Sequence, residues 1–390
     1  MLSVAEAQAR ALALAPKMPV VELDAAAAAG RYLASDLHAR RTQPPADLSA
    51  MDGYAIVGDG PWTVIGESRA GAPFGSALID GQAVRISTGA HMPAGADRVL
   101  IQENAERTGD HLRCTEDMPG RGKHVRTCGF DFSEGDLVLG AGSRIGAAQV
   151  ALAITAGHST LPVHEAPLVA VIDSGDELSV TPEDCAPHQI PASNGAMLTT
   201  LLARMGCRVE RIGPVPDDRQ ALVDAFASAE RADFVITSGG ASVGDHDLIR
   251  PALEEWGASL DFWKVAMKPG KPLLIAQREN QLIFGLPGNP VSSFVTAFLF
   301  VLPSVRAAMG AAETLPRLVT LKAGCSLPAG GSRQEFIRGS WDGLSVTPAD
   351  SQDSSALAAL AASNCLIARG IDASPISAGE AVECYLLENG

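Results

Sequence analysis

The pattern of apolar and polar positions changes several times along the chain. From residue 1 to about 42 it is Ala-rich and helical, and it ends at the breaker Pro44-Pro45. Between about 46 and 136, short β-like runs such as YAIVGDG, WTVIGES, AVRIST and RVLIQE alternate with Gly, Pro and Asp. Residues 137–165 return to Leu, Val and Ala. This order predicts an inserted β module, flanked by an N-terminal helical piece and a returning helix that packs beside it.

From Pro167 onward, continuous apolar strands alternate with helical stretches. The segment APLVAVIDSGDEL is typical of a buried strand that ends in a polar turn. Helices are predicted, with strands between them, at about 195–205, 217–230, 246–256 and 290–309. This alternation predicts a doubly wound, mainly parallel α/β sheet, with a ligand crevice at the carboxyl ends of its strands. After Pro316, short β-like runs and one helix at 355–362 predict a C-terminal β module.

The chain is thus predicted to be a multi-subdomain α/β and β protein. Its 390 residues exceed what one core of ordinary size needs, which excludes a single small binding module. The predicted division has four parts: residues 1–45 plus 137–166 as an N-terminal and linker subdomain, 46–136 as an inserted β subdomain, 167–312 as a doubly wound α/β domain, and 313–390 as a C-terminal β subdomain.

Composition and charge limit the partners of the chain. Apolar residues make up 46% and charged residues 19%, so the chain has enough aliphatic material for folded cores. With 30 basic and 45 acidic residues, the formal net charge is −15. The overall field therefore repels nucleic acid and anionic membranes. Any anionic ligand must be held by a local cluster of positive charge.

The sequence favours a cytoplasmic protein. Glu6 and Arg10 interrupt the apolar N-terminal stretch, so it does not resemble a secretory signal. The apolar run Phe294–Leu302 is too short to span a membrane by itself and is predicted to be a buried helix. Seven scattered cysteines form no C-x-x-C pair, which favours reduced thiols.

A glycine-rich loop follows the predicted strand DFVIT. The segment TSGGASVGDHD places three glycines and two serines where backbone N–H groups can approach a phosphate, next to the start of a helix. A tight turn without a ligand has the same composition, and no Walker A motif follows. The candidate phosphate-binding residues are Ser238, Gly239, Gly240, Ser242 and Gly244.

Two further segments are candidate anion sites. FWKVAMKPGKP carries Lys264, Lys268 and Lys271 on a loop stiffened by prolines, and the alternative is an ordinary solvated loop. FGLPGNP ends a strand and begins the long helix, with Asn289 as its N-cap and Pro290 at its first position. A helix cap without a ligand explains that second pattern equally well.

Carboxylates follow several predicted strands of the α/β domain. Oxygen ligands beside phosphate-type loops suit Mg²⁺, although each residue taken singly is typical of a helix cap or a solvated turn. No histidine spacing for zinc and no evident catalytic triad is present, which disfavours a zinc or serine hydrolase. The acidic candidates are Asp52, Asp173, Asp176, Glu177, Asp217, Asp218, Asp245 and Asp247.

Taken in order, these motifs resemble the molybdopterin molybdenumtransferase family, which includes the gephyrin E domain. The resemblance covers nearly the whole chain. It rests on PPADLSAMDGYA, ISTGAHMPAGADRVLIQE, GKHVRTCGFDF, DSGDEL, SNGAML, VPDD, TSGGASVGDHD, FWKVAMKPGKP and FGLPGNPVS. It implies that residues 167–312 are a molybdopterin-binding domain, and that the chain inserts molybdate into adenylyl-molybdopterin with Mg²⁺, releasing AMP and molybdenum cofactor.

The resemblance also implies roles for individual residues in a homodimer whose cleft is shared between subunits. It implies transient contacts with other cofactor-biosynthesis proteins, and no nucleic acid or membrane. The residues expected to be catalytic are Asp52, Glu177, Asp217, Asp247, Lys264 and Lys268, with Glu177, Asp217 and Asp247 as metal ligands. Those expected to bind substrate are Thr88, Asp131, Ser238, Gly239, Gly240, Ser242, Gly244, Lys271, Pro287, Gly288, Asn289, Pro290 and Ser354.

The chain departs from the family pattern at a few positions. Asp173-Ser174 stands where the family has Ser-Thr, Ala192 replaces an Asp, Gly195 replaces an Arg and Asp353 replaces a Gly. Two alternatives to the transferase stay open. One is a molybdopterin-binding or scaffolding paralogue without turnover. The other is a nucleotide-processing enzyme that shares only the α/β domain, against which the matching SAMDGYA and C-terminal segments argue.

Overall fold

The computed structural model describes residues 1–239 and 248–387. The first helix, α1 (Val4–Ala13), begins at a capping box in which Ser3 and Glu6 exchange side-chain and backbone hydrogen bonds. Twelve strands and a second helix follow up to residue 164 in this part of the chain. They are β1 (Val20–Asp24), β2 (Leu37–His38), β3 (Leu48–Ser49), β4 (Gly53–Ile56), β5 (Trp62–Ser68), β6 (Gln82–Ile86), β7 (Arg98–Ile101), β8 (Ala105–Thr108), β9 (His111–Cys114), β10 (Val125–Arg126), β11 (Leu137–Leu139), α2 (Ala147–Thr155) and β12 (Thr160–His164).

The N-terminal region is less helical than its Ala content predicts. After α1 the chain forms β1, which pairs antiparallel with β12, and the run Ala25–Ala29 forms turns. Tertiary pairing of the β-branched segment outweighs the helix propensity of alanine here. The predicted packing of α1 beside α2 is also wrong. Helix α1 packs on the central α/β core, whereas α2 shares a separate core with Leu33, Leu161 and Val163.

The β-like runs of residues 46–136 form a six-stranded sheet, in the order β7-β4-β6-β5-β9-β8. Its core contains Trp62, whose indole N–H donates to the Val57 carbonyl at 2.8 Å. The strands on either side of this segment pair with each other, β2 with β11 and β1 with β12. Such pairing is what an insertion at 46–136 requires, and the subdomain boundaries stay a prediction.

The central region contains the remaining α/β elements. They are β13 (Leu168–Ser174), β14 (Leu178–Ser179), β15 (Ile190–Pro191), α3 (Ser193–Arg204), β16 (Arg208–Val215), α4 (Arg219–Ser228), β17 (Phe234–Ser238), α5 (Ile249–Glu255), β18 (Ser259–Trp263), β19 (Met267–Lys268), β20 (Leu274–Arg278), β21 (Gln281–Leu286), α6 (Pro290–Thr296) and α7 (Leu302–Ala308). The sheet order is β16-β13-β17-β21-β20-β18, and in this sheet only β20 runs in the direction opposite to the other five strands. The prediction of a mainly parallel sheet is confirmed, and the carboxyl ends of β13, β17 and β21 lie side by side.

Helices α6 and α7 form one long helix through a π-helical segment at Ala297–Val301. Its 19 residues have a mean hydropathy of 1.6, which is enough by length and composition to cross a membrane, but 89% of this stretch is buried inside the protein. Pro303 has no N–H to give to the Leu299 carbonyl four residues earlier. The Gln8 side-chain amide of α1 donates to that carbonyl instead, at 2.9 Å. The apolar run is thus a core helix tied to α1.

The C-terminal region forms a further sheet. It includes β19, which comes from the segment FWKVAMKPGKP, here called the lysine loop. Its elements are β22 (Leu318–Lys322), β23 (Gln334–Trp341), β24 (Val346–Pro348), α8 (Leu357–Ala361), β25 (Cys365–Arg369) and β26 (Ala381–Leu386). The sheet order is β19-β23-β25-β26-β22, with β24 on β23. Strand β19 carries Lys268 and lies parallel to β23, so that Lys268 is in register with Glu335. The lysine loop is therefore held between the two regions.

Candidate functional site

A cavity of about 770 Å³ lies at the carboxyl ends of β13, β17 and β21. This is the edge of the sheet at which the sequence predicts a ligand crevice. Eight of the predicted site residues line this first cavity: Glu177, Asp217, Ser238, Gly239, Pro287, Gly288, Asn289 and Pro290. Gly240, Ser242, Gly244 and Asp247, which belong to the predicted glycine loop, lie outside the described residues.

Close backbone approach explains the glycines of the first cavity. Gly239 has φ +103°, and a Cβ there would lie 2.5 Å from the Ser174 carbonyl oxygen of the neighbouring strand. Gly288, which follows β21, lies against Gly239, since a Cβ added to Gly288 would be 3.6 Å from the Gly239 Cα. The Asn194 side chain then joins α3 to this turn by donating to the Gly288 carbonyl at 2.7 Å. Only glycine at 239 allows the three strand ends to converge in this way.

Two helices begin at the wall of the first cavity. Helix α3 starts at Ser193, and α6 starts with Asn289 at the N-cap and Pro290 at its first position, as predicted. The Asn289 side chain makes no capping hydrogen bond. Helix N-termini leave N–H groups unpaired and carry partial positive charge. The cavity can therefore attract the anionic part of a ligand without any lysine in its lining.

Two exposed carboxylates, Glu177 and Asp217, face the same cavity. The backbone N–H of Asp217 donates to an oxygen of Asp176 at 3.1 Å, which fixes the two turns relative to each other. Asp218 caps α4 by accepting from the Ala221 N–H at 2.9 Å, so its role is structural. Within residues 1–239 and 248–387, no three His, Cys, Asp or Glu side chains are grouped closely enough to hold a metal by themselves.

A second cavity of about 590 Å³ adjoins the first, and Pro272 lines both. Lys268, Lys271 and Ser354 of the predicted site line it. Arg333 adds a further positive charge that the sequence reasoning missed, although a basic residue after the glycines of LPAGGSR was a visible signal. The second cavity therefore has three basic side chains against the carboxylates of Glu335 and Asp353, and this local excess of positive charge is what an acidic chain needs to bind an oxyanion.

The lysine cluster is only partly brought together. Lys264 lines neither cavity. It lies between β18 and β19 with φ +91°, and its backbone N–H donates to the Leu273 carbonyl at 3.1 Å. Spacing along the sequence predicts one group of three amines. Strands β18 and β19, on either side of Lys264, belong to different sheets, and this separates Lys264 from Lys268 and Lys271.

The predicted residues of the inserted region lie apart from both cavities. Asp52 Oδ1 accepts hydrogen bonds from the Thr88 N–H at 2.6 Å and from the Thr88 hydroxyl at 3.0 Å. These two hydrogen bonds, the backbone one first, lower the pKa of Asp52. Asp131 is exposed, and its N–H donates to the Gln43 carbonyl at 3.0 Å. Asp52, Thr88 and Asp131 line neither cavity.

A buried arginine that the sequence reasoning missed supports the second cavity. Arg338 is only 1% exposed and donates to the carbonyls of Ser351 at 2.8 Å and Asp353 at 2.9 Å. Burial lowers the pKa of its guanidinium. The backbone carbonyl of the next residue, Ser354, accepts a hydrogen bond from the Val291 N–H of α6 at 3.1 Å. Arg338 thus holds the loop that separates the two cavities.

Comparison with known proteins covers nearly the whole chain. Residues 2–157 match the MoeA N-terminal region (domain I and II), residues 170–307 a probable molybdopterin binding domain, and residues 320–387 the MoeA C-terminal region (domain IV). A molybdopterin molybdenumtransferase of Haemophilus influenzae is 33% identical over 98% of both chains. One from Staphylococcus aureus is 30% identical over 100% of this chain and 96% of its own.

The structure is similar to that of a solved archaeal protein. The molybdopterin biosynthesis moeA protein of Pyrococcus horikoshii OT3 superposes with a TM-score of 0.86 at 26% identity, covering 99% of this chain and 100% of its own. The multi-domain α/β and β architecture predicted from the sequence is therefore confirmed. Because the sequence relatives match over almost their full length, the chain belongs to the molybdopterin molybdenumtransferase family.

Proposed function

We propose that this chain inserts molybdate into adenylyl-molybdopterin, releasing AMP and molybdenum cofactor. Its curated relatives from three genera are named molybdopterin molybdenumtransferases, which favours a transferase over a binding-only paralogue. The observation that carries the proposal is the pair of adjoining cavities. The first offers helix N-termini and carboxylates, and the second offers lysines and an arginine.

The two cavities suit the two anionic substrates. In the first cavity, the N-terminus of α6 and the backbone at Gly239 and Gly288 suit the phosphate groups of the adenylate. In the second cavity, Lys268 and Lys271 suit the oxyanion molybdate, and Ser354 can donate or accept a hydrogen bond. Since the cavities share Pro272, an oxyanion held in one lies next to a ligand held in the other. The shared wall therefore supports transfer rather than separate storage.

Magnesium fits the carboxylates of the first cavity. Mg²⁺ typically takes one or two carboxylates and completes its shell with water and substrate phosphates. Glu177 and Asp217 supply two such groups beside the proposed phosphate site, and Asp247, expected as a third, lies outside the described residues. When bound, the ion would neutralise charge on the phosphates of the adenylate. Glu177 and Asp217 would hold it, and they would also keep the phosphates oriented toward the second cavity.

The site is proposed to be completed in a homodimer. Asp52, Thr88 and Asp131 line neither cavity of their own chain, although the family resemblance assigns all three to the cleft. A second copy could supply them. This arrangement would place the ordered Asp52–Thr88 pair of one subunit against the strand ends of the other. We further propose a cytoplasmic location, which suits the seven free cysteines, and transient contacts with other cofactor-biosynthesis proteins.

The test is AMP release by the purified protein. Adenylyl-molybdopterin and Mg²⁺ are supplied with and without molybdate, and AMP is quantified by chromatography. We expect AMP release that depends on molybdate and is abolished when EDTA removes the metal. Absence of AMP in the complete mixture, with the adenylate demonstrably bound, would instead support a binding protein without turnover.

A further inference from the structure

A buried carboxylate stands at the wall of the first cavity. Asp173 lies near the end of the apolar strand β13, is only 2% exposed, and lines the cavity. Its Oδ2 accepts a hydrogen bond from Arg211 Nη2 at 3.0 Å. The same carboxylate lies against Gly195, in the first turn of α3. Its Oδ1 is buried and has no hydrogen-bond partner among residues 1–239 and 248–387.

The glycine at position 195 leaves room for that carboxylate. A Cβ at position 195 would lie 2.0 Å from Asp173 Oδ2, so Asp173 and any larger residue at 195 exclude each other. Ala192, at the N-cap of α3, makes no side-chain capping hydrogen bond. The carboxylate of Asp173, on strand β13, lies against the first turn of this helix. Asp173, Ala192 and Gly195, all departures from the family pattern, therefore lie together at the start of α3.

A second unpartnered polar group lies beside Asp173. Ser238 of β17 is in register with Asp173, so the two side chains leave the same face of the sheet. Ser238 also lines the first cavity and is buried, and its hydroxyl has no hydrogen-bond partner in the part of the chain that the structure describes. Buried polar groups normally have hydrogen-bond partners, and two adjacent exceptions at a cavity wall indicate that a ligand supplies them.

The negative charge of Asp173 determines which group of a ligand can bind beside it. A carboxylate repels phosphate and molybdate, so the anionic parts of a substrate are excluded from the neighbourhood of Asp173 and directed to the N-terminus of α6 and to the lysines. An unpartnered carboxylate oxygen only accepts hydrogen bonds, whereas a serine hydroxyl can donate or accept. The apolar side chains of Leu178, Ile190 and Leu357 line the same cavity and suit a flat ring.

We propose that Asp173 and Ser238 form a subsite that binds an N–H donor on a heterocycle of the substrate. The proposal rests on the proposed function, because adenylyl-molybdopterin carries two such heterocycles, the pterin and the adenine. Asp173 is then a specificity-determining residue of this chain, distinct from the acids expected to bind metal.

The isosteric variant Asp173→Asn tests the subsite. The amide oxygen of the introduced side chain would accept from Arg211 as Oδ2 does, so its NH₂ group would replace the free Oδ1 and present a donor in place of an acceptor. We expect affinity for one of the two heterocycles to fall about tenfold, because donor would face donor at a desolvated contact. The fold should be retained, as judged by circular dichroism and thermal unfolding.

Titration with two ligands distinguishes whether the bound N–H group belongs to the pterin or to the adenine. Metal-free molybdopterin and AMP are titrated separately into wild type, Asp173→Asn and Ser238→Ala. Since the Ser238 hydroxyl has no hydrogen-bond partner among the described residues, its removal costs no hydrogen bond to them and the variant should fold. Weakened binding of molybdopterin alone assigns the subsite to the pterin, and weakened binding of AMP alone assigns it to the adenine. Ser3→Ala, at the N-cap of the remote helix α1, is the control for lowered stability.

Unchanged affinity for both ligands in folded Asp173→Asn and Ser238→Ala would overturn the subsite while leaving the proposed function intact. Failure of the wild-type protein to bind either ligand would overturn the proposed function, and with it the subsite. The two failures are therefore distinguishable.

Discussion

Lys268 and Glu335 form an ion pair within the second cavity, with Nζ and Oε1 3.0 Å apart. They are partners in the parallel register of β19 and β23, so the pair also links the lysine loop to the C-terminal sheet. Lys268 is more than half exposed, whereas Glu335 is only 20% exposed. The lysine is therefore held in place by a carboxylate that also competes with any oxyanion for its charge.

Opposite effects on oxyanion binding are expected from the two partners. Lys268→Ala removes a charged donor and should weaken molybdate binding about tenfold. Glu335→Gln removes the competing negative charge and should tighten it several-fold. Isothermal titration with molybdate at constant ionic strength measures both. Equal molybdate affinity in wild type and Lys268→Ala would exclude this lysine from the oxyanion site.

Turnover should depend on Glu177 without any cost in stability. Its side chain is exposed and faces the first cavity, so Glu177→Gln leaves the packing of the core unchanged. We expect the rate of AMP release to fall by about 10²-fold or more, consistent with loss of a group acting on the reacting phosphates. Rates equal to wild type would exclude Glu177 both as a metal ligand and as a proton-handling group.

The contact between Gln8 and the Leu299 carbonyl should stabilise the folded state. Replacing Gln8 by Leu leaves that buried carbonyl without a donor, because Pro303 cannot supply one. The expected loss in the free energy of unfolding is about 1–3 kcal/mol. Urea denaturation measures it, and the double variant Gln8→Leu/Pro303→Ala should recover part of the loss. A neutral Gln8→Leu would show that another group satisfies the carbonyl.

Gly195 and Asp173 should show strong energetic coupling. Gly195→Ala places a methyl group on the Asp173 carboxylate and should cost about 1–3 kcal/mol of stability, as expected for overpacking. In the background of Asp173→Ser, which removes the bulk, the same substitution should cost far less. A double-mutant cycle read by thermal unfolding tests this. Additive effects would contradict the steric relationship.

Burial raises the pKa of Asp173 above its ordinary value, despite opposing contributions from Arg211 and the Gly195 N–H. The folded state therefore binds this proton more tightly than the unfolded chain does. Its contribution to stability is fully present below the ordinary aspartate pKa and is lost as pH rises through the folded value. Stability measured across this range should decline less steeply in Asp173→Asn. An identical pH dependence in both proteins would contradict the effect of burial.

The strand ends and helix starts were predictable from sequence. Apolar runs followed by Gly, Asp or Asn marked the ends of β13, β17 and β21, and the rules for parallel sheets bring such ends together. The N-cap at Asn289 followed from local chemistry alone. These rules predict the parts of the site that depend on a single element and its immediate neighbours.

Relationships between distant elements were not predictable. The separation of Lys264 from Lys268 depends on which sheet each flanking strand joins. The partners of Asp173 come from β16 and α3, and its free oxygen is apparent only when both are in place. Likewise, the Ala25–Ala29 run forms turns because β1 pairs with a strand about 140 residues away, which outweighs local propensity.

The central claim is that the two cavities carry out molybdate insertion. Its most direct test is a single-turnover measurement in which AMP and molybdenum cofactor are quantified together, the cofactor by reconstitution of an apo-molybdoenzyme. We expect one AMP per cofactor formed, with both products lost in Glu177→Gln although adenylyl-molybdopterin still binds. Formation of active cofactor without AMP, or release of AMP that is indifferent to molybdate, would contradict it.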